Sequence, residues 1–173
     1  MSQEQFMQQA LEEARKAFDQ GEIPIGAILA CKDQVIARAH NTREQDKSPL
    51  SHAEIKVLQD GAKQKGDWRL NDCDLYVTLE PCPMCLGALF QARVGRLFVG
   101  ALDQKRNETS GDSTSPDFPG LSSFFKLSSE VGPYFKLSSN NHNLHVYFPI
   151  LEKKCADILK DFFQGRRPYR MSN

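Results

Sequence analysis

The feature that most constrains this chain is a donor set split between two segments: His52-Ala53-Glu54, and well downstream Pro81-Cys82-Pro83-Met84-Cys85. One imidazole and two thiols can bind zinc, and a carboxylate stands two residues from the imidazole. Three protein ligands leave a fourth tetrahedral position open. That is the coordination of a catalytic zinc, whereas structural zinc is usually closed by four ligands. An open zinc beside a carboxylate implies hydrolysis by an activated water.

The local spacing supports convergence. Cys82 and Cys85, at i and i+3, can reach one metal from the start of a helix. Pro81 and Pro83 suit such a start, because the first helical turn tolerates residues without an N–H. A helix N-terminus also favours thiolate over thiol. Glu54 lies at i+2 from His52, so on a helix the two side chains do not share a face. Near the first turn, His52 can ligate while Glu54 reaches the water as a proton shuttle. The competing readings are a structural zinc site, and two buried cysteines with an unrelated histidine.

Along the chain, helical and strand periodicities alternate. Phe6, Ala10, Leu11, Ala14 and Phe18 share one helical face, and Gly21 stops that helix. Ile23 to Ala30 reads as a buried strand. Lys32-Asp33 makes a turn and Val35 to His40 returns, forming a hairpin. Asn41 to Leu50 reads as a polar loop. A helix is expected from His52 to Gln64, with Ile55, Leu58 and Ala62 inward. Then follow a strand over Cys73 to Thr78, a helix over Pro83 to Ala92 and a strand over Arg96 to Val99. A short last strand over Leu144 to Tyr147 precedes a helix from about Ile150 to Phe163. Strands alternating with helices predict a layered α/β sheet with helices on both faces.

These motifs carry a resemblance. His-Ala-Glu followed by Pro-Cys-x-x-Cys is similar to the signature of the zinc deaminases of the cytidine and deoxycytidylate deaminase superfamily. More closely, the chain resembles bacterial tRNA adenosine deaminases. The matching stretches are Glu22-Ile23-Pro24-Ile25-Gly26-Ala27, Ser51-His52-Ala53-Glu54-Ile55, Leu75 to Cys82, and Asp161-Phe162-Phe163. They span about residues 5–105 and 143–167. Guanine and cytosine deaminases share much of the first half.

The resemblance implies a single zinc deaminase domain over residues 1–173, folded as a three-layer α/β/α sandwich around a five-stranded mixed sheet. Its last two strands run parallel, which needs a crossover rather than a hairpin. It implies one Zn2+ per chain on His52, Cys82 and Cys85, with Glu54 as the catalytic proton shuttle. The implied substrate is the wobble adenosine in the anticodon stem-loop of a tRNA, flipped out so that its C6 can be reached. Implied substrate contacts are Asn41 and Ala53 at the base, Asp103 and Lys105 beside the flipped nucleotide, and Phe162, Phe163, Arg166 and Arg167 in an RNA-contacting tail. A homodimer is also implied. The exclusively apolar Met84, Leu86, Leu89 and Phe90, more than one helix face buries, fit such an interface. Two other functions remain open: a deaminase of a free base or nucleoside (guanine, cytosine or adenine), and a non-catalytic, zinc-stabilised RNA-binding protein. Glu54 argues against the last, since binding alone does not require it.

Charge adds little. The chain has 22 Lys and Arg against 22 Asp and Glu, so nucleic-acid contact would need a local patch. The basic run from Lys153 to Arg170 is a candidate, and equally a solvated helix end that satisfies the helix dipole. Five cysteines suggest no disulfide framework, which fits a reducing cytoplasm. Cys31, Cys73 and Cys155 lie in apolar patterns and read as small core residues. His40, His142 and His145 read as structural or solvent-facing. The N-terminal stretch has no apolar signal core, and no apolar run approaches a membrane span.

One segment departs from the family pattern. Residues 106–142 form an atypical insertion rich in Ser, Asn, Pro and Phe. Within it Phe124-Phe125-Lys126-Leu127-Ser128-Ser129 recurs as Tyr134-Phe135-Lys136-Leu137-Ser138-Ser139. It reads either as a surface insertion or as a flap beside the pocket that selects substrate.

Overall fold

A computed structural model describes residues 1–103, 134–139 and 142–165. In chain order the elements are α1 (Gln3–Asp19), β1 (Gly26–Cys31), β2 (Gln34–His40), α2 (Arg43–Asp46), α3 (Ala53–Lys65), β3 (Cys73–Leu79), α4 (Pro83–Gln91), β4 (Arg96–Ala101), β5 (Tyr134–Ser139), β6 (His142–Tyr147) and α5 (Glu152–Gly165). The strands form one mixed sheet in the order β2-β1-β3-β4-β6-β5. β1 runs antiparallel to β2 and β3, while β3, β4 and β6 run parallel.

The sheet divides two apolar layers. Leu29, Leu75, Val77, Leu97, Val99, Leu144 and Val146 face α3 and α4, packing with Ala53, Val57, Leu58 and Leu89. Ile28, Tyr76 and Phe98 face the other way, toward Phe6, Met7, Ala10 and Ala14 of α1 and Cys155 and Ile158 of α5. Alternation along each strand thus serves two helix layers, and the central strands are apolar on both faces. This is the α/β/α sandwich that the motifs imply.

Helix ends follow local chemistry. Ser2 and Gln5 form a capping box at the start of α1. At its exit Gln20 is the cap and Gly21 takes a positive φ of 78°. Gly26 sits where α1 crosses β1 so closely that a Cβ there would lie 2.1 Å from Ala10 O. This contact ties the N-terminal helix to the sheet.

Several expectations need correction. The sheet has six strands, not five. The sixth, β5, comes from the segment read as an insertion and pairs antiparallel with β6, Tyr134 opposite Tyr147 and Ser139 opposite His142. Its recruitment has a side-chain basis. Phe6, Tyr76, Phe98, Tyr147 and Tyr134 form a row of adjacent rings, with Tyr76–Phe98 and Phe98–Tyr147 stacked at 4.4 and 4.7 Å. Tyr134 extends this row by one strand, and Leu137 enters the opposite layer. The rest of the insertion, residues 106–133 with Phe124-Phe125 and residues 140–141, lies outside the described residues.

Asn41 to Leu50 is not wholly loop. α2 makes one helical turn there, and Asn41 and Thr42 are buried. The inward face of α3 is also rotated from the expected one: Val57 and Gly61 are buried with Leu58, whereas Ile55 and Ala62 are half-buried. Gly61 accounts for this, because Leu29 packs so closely over it that a Cβ would stand 2.2 Å from Leu29 Cδ2.

Candidate active site

Two helix N-termini build the site. His52 is the N-cap residue of α3 and Cys82 the N-cap residue of α4, both with extended backbone. Their carbonyls accept the first intrahelical bonds, from Lys56 and Leu86. Pro83 occupies the first turn of α4, where its missing N–H costs nothing. β3 delivers the chain from the sheet to Pro81 and Cys82, and the parallel β3–β4 pair fixes the position of that strand end. The sequence expectation that His52 lies inside its helix shifts by one residue. As a cap residue it is free of the helix's side-chain directions, so its ring can turn across to α4.

His52 Nδ1 lies 3.7 Å from Cys82 Sγ and 3.5 Å from Cys85 Sγ. The three donor atoms all lie within 4.8 Å of one another. A tetrahedral ion with S and N ligands at about 2.3 and 2.0–2.1 Å needs S···N edges of about 3.6 Å. The geometry therefore fits a metal ion, and among the described residues no fourth protein donor completes the group.

Electrostatics point the same way. The Cys82 thiol is pushed down to about 3, foremost by a hydrogen bond from Cys85 and then by His52, against the cost of burial. Cys85 is pushed up, first because it shares that hydrogen bond as donor and then by burial. His52 is raised by its bond to Cys82. One thiolate, one thiol and an imidazole inclined to hold a proton form a preorganised cluster that a divalent cation would convert to two thiolates and a neutral ring.

Glu54 completes the arrangement. It is only 3 % exposed, and burial raises its carboxyl above the usual range. Its Oε2 is buried with no hydrogen-bond partner among the described residues. A buried carboxylate oxygen left unpaired costs about 1–3 kcal/mol, so such an atom marks a place where a ligand or water belongs. It lies beside Cys85, which interacts with its side chain. The four residues can together hold a metal ion, activate a water and move protons.

Residues around the cluster are held by a buried polar network. Asn41 is 3 % exposed and donates from Nδ2 to Glu22 Oε2 at 3.2 Å and to Ile23 O at 3.3 Å. Glu22 also accepts the Gln45 N–H at 2.8 Å. Glu22 is thus an anchoring residue that the sequence reading passed over, although it opens the Glu22–Ala27 motif. Its signal was an acid immediately before an apolar strand. Glu80, also buried, accepts the Asp103 N–H at 3.1 Å and fixes the chain just beyond β4. Ala53 is fully buried at the first turn of α3.

The expected RNA-contacting tail divides. Phe162 is 5 % exposed, with its ring edge-on to Phe18 at 5.6 Å. It packs α5 against α1. Phe163 is 45 % exposed on the same turn. Lys105, Arg166 and Arg167 lie outside the described residues. The three remaining histidines are structural: His40 bonds Glu13 and Gln20, His142 bonds Val94 O, and His145 stacks on Tyr134.

Comparison with known proteins gives a consistent result. The family model of the MafB19-like deaminases matches residues 1–167. The tRNA-specific adenosine deaminase of Bacillus subtilis is 39% identical over 164 residues, covering 95% of this chain and 90% of that protein. The tRNA-specific adenosine deaminase of Aquifex aeolicus is 34% identical, covering 96% of this chain and 97% of that protein. A solved structure from a study of A-to-I editing by tRNA:A34 deaminases at the wobble position of transfer RNA superposes with a TM-score of 0.69 at 36% identity, over 89% of this chain and 98% of that one. Guanine deaminase from Nitrosomonas europaea shares the fold, with a TM-score of 0.72 at 20% identity over 93% of this chain and 84% of that one. The chain belongs to the MafB19-like deaminase family.

Proposed function

We propose, with membership of that family as the premise, that this chain is a zinc-dependent hydrolase converting adenosine to inosine at the wobble position of a tRNA. The observation that carries this reading is the convergence of His52, Cys82, Cys85 and Glu54 at two helix N-termini. It occurs in a chain 34–39% identical, over nearly its whole length, to tRNA-specific adenosine deaminases.

In this reading residues 1–173 act as one deaminase unit, with one zinc on His52, Cys82 and Cys85. When bound, zinc lowers the pKa of a coordinated water and so supplies a nucleophile at neutral pH. Glu54 accepts a proton from the attacking water and delivers it to a purine ring nitrogen, then takes the remaining proton from the new hydroxyl on C6 and delivers it to the amine, which leaves as ammonia. Its burial suits both halves of the task, because a carboxylate with a raised pKa takes up a proton more readily as a base and then holds it long enough to deliver it as an acid. Asn41 Nδ2 is committed to Glu22 and Ile23, so its Oδ1 is the atom offered to the base. Ala53 contributes its backbone. Asp103 and Lys105 border the nucleotide, which leaves the stacked anticodon loop to reach the site. Phe163, Arg166 and Arg167 contact the stem-loop.

The protein works as a cytoplasmic homodimer. Met84, 36 % exposed on α4 beside half-buried Leu86 and Phe90, supplies apolar surface for the interface. Among the described residues no helix is long and apolar enough to cross a membrane.

The test is a substrate screen with zinc-loaded protein. A tRNA with a wobble adenosine, its anticodon stem-loop, adenosine, adenine, guanine and cytosine are incubated separately. Ammonia release is measured, and inosine is located in the RNA by nucleoside mass spectrometry. The expected result is inosine at the wobble position in both RNAs and negligible release from the small molecules. Turnover of guanine with unmodified RNA would overturn the substrate assignment. RNA binding with no ammonia from any substrate would overturn the catalytic one.

A further inference from the structure

A second cluster of thiols lies at the far end of the strand that carries the site. Cys31, the last residue of β1, is directly opposite Cys73, the first residue of β3, across the antiparallel β1–β3 ladder. Their side chains project to the same face, beside Leu29 and Leu75. The Cys31 and Cys73 sulfurs and a carboxylate oxygen of Asp72 all lie within 4.8 Å of one another. Cys82 follows the opposite end of β3, roughly 20 Å away by strand geometry. These thiols are therefore independent of the cluster at His52.

We propose that Cys31 and Cys73 are a reversible oxidation site that closes as a disulfide across β1 and β3. Directly opposed residues of an antiparallel pair have Cα atoms about 4.5–5.5 Å apart. Disulfides require about 4.4–6.8 Å, so the backbone already stands in the permitted range. Exposure divides the roles. Cys31 is half-buried at the sheet end and open to a small oxidant, while Cys73 is fully buried. The Cys31 thiolate attacks one oxygen of a peroxide, breaking the O–O bond to give a sulfenic acid and hydroxide. The Cys73 sulfur then attacks the sulfenic sulfur, the S–S bond forms and water leaves. In total two thiols and one hydrogen peroxide give one disulfide and two waters, with two electrons passing from sulfur to peroxide. The Lys65 ammonium and the Asp72 carboxylate, paired with each other, both lie beside the two sulfurs.

The competing reading of the same donors is a soft metal site, with Asp72 as third ligand. Cys31 Sγ and Cys73 Sγ lie 3.4 and 3.8 Å from Asp72 oxygens. Lys65 weighs against it. Its ammonium is bonded to Asp72, so a divalent cation would have to displace a positive charge that stays nearby.

The experiment uses the zinc-loaded, full-length chain. Reduced protein is exposed to rising hydrogen peroxide, remaining thiols are alkylated, and peptides are mapped without reduction. The expected product is a peptide linking Cys31 to Cys73, lighter by two hydrogens, that dithiothreitol reverses. It should form at doses where Cys155 stays a thiol and deamination is retained. Cys31→Ser, at a half-exposed strand end, should abolish the link and leave Cys73 a thiol. Sulfinic or sulfonic acid at Cys31 without a link would overturn the proposal, as would a first link at Cys82 or Cys85. A second equivalent of cadmium bound by the reduced protein, and lost in Cys31→Ser, would overturn it in favour of the metal site.

Discussion

Replacing Glu54 by Gln separates proton transfer from every other property of the site. The amide is nearly isosteric, and none of the three metal donors is touched. Positioned proton transfer typically contributes about 10²–10⁴-fold, which is about 2.7–5.5 kcal/mol of barrier. Deamination of the tRNA should fall by at least that range, since Glu54 handles protons in two successive steps. Stability should not fall with it. Glu54 is 3 % exposed and its Oε2 has no partner among the described residues, so the native carboxylate is an unfavourable burial in the metal-free protein. Glutamine removes the charge but leaves a polar atom in the same buried place, so the metal-free variant should melt no lower than the parent. The assays are single-turnover inosine formation, metal content and thermal melts of metal-free protein. Turnover within tenfold of the parent with metal retained would remove Glu54 from its role. A large drop in stability would show that the carboxylate is a structural group, whatever the activity.

Three further outcomes are expected. Cys82→Ala should lower zinc content from one equivalent to a small fraction, measured by elemental analysis after dialysis, while the metal-free fold is kept. Gly26→Ala should destabilise the chain by at least about 1–3 kcal/mol in chemical denaturation, because the added Cβ would meet backbone atoms, Ala10 O at 2.1 Å and Ala14 N at 2.3 Å, that cannot rotate away. Glu13→Gln should flatten the acid side of the stability profile. Burial would raise the Glu13 carboxyl, but hydrogen bonds from Lys16 and His40 outweigh it and hold the group below its ordinary value. A lowered pKa gives stability that is present above about pH 4.5 and lost as pH falls through the native value. The parent should therefore lose more stability than the variant on acidification below pH 4.5, as read from denaturant midpoints.

The reach of sequence reading follows the range of the forces involved. α1, β1, β2, β3, α4 and β4 were legible because periodicity, caps and turns act over a few residues. Ser2 and Gln5, Gly21, and Pro83 at the head of α4 are examples. The donors were legible for a related reason. A metal that takes S and N ligands tolerates few substitutes, so His52, Cys82 and Cys85 declare their chemistry wherever the chain puts them. The β5 strand was not legible. Its placement depends on Tyr134 meeting Tyr147 in a ring row that begins on another helix, although Asn140-Asn141 between two alternating runs was a usable hairpin signal.

By itself, then, the sequence determined the order of the central elements, the donor set and its spacing, and the presence of a carboxylate beside the imidazole. Only the tertiary structure decided what surrounds them. It buried Glu54 until its carboxyl was raised, tied Asn41 to Glu22, turned Phe162 inward against Phe18, and set Cys31 opposite Cys73. Each of these results from contact between segments far apart in the chain. Burial and strand register are properties of the packed molecule, and a one-residue change in register would turn every side chain of a strand to its other face.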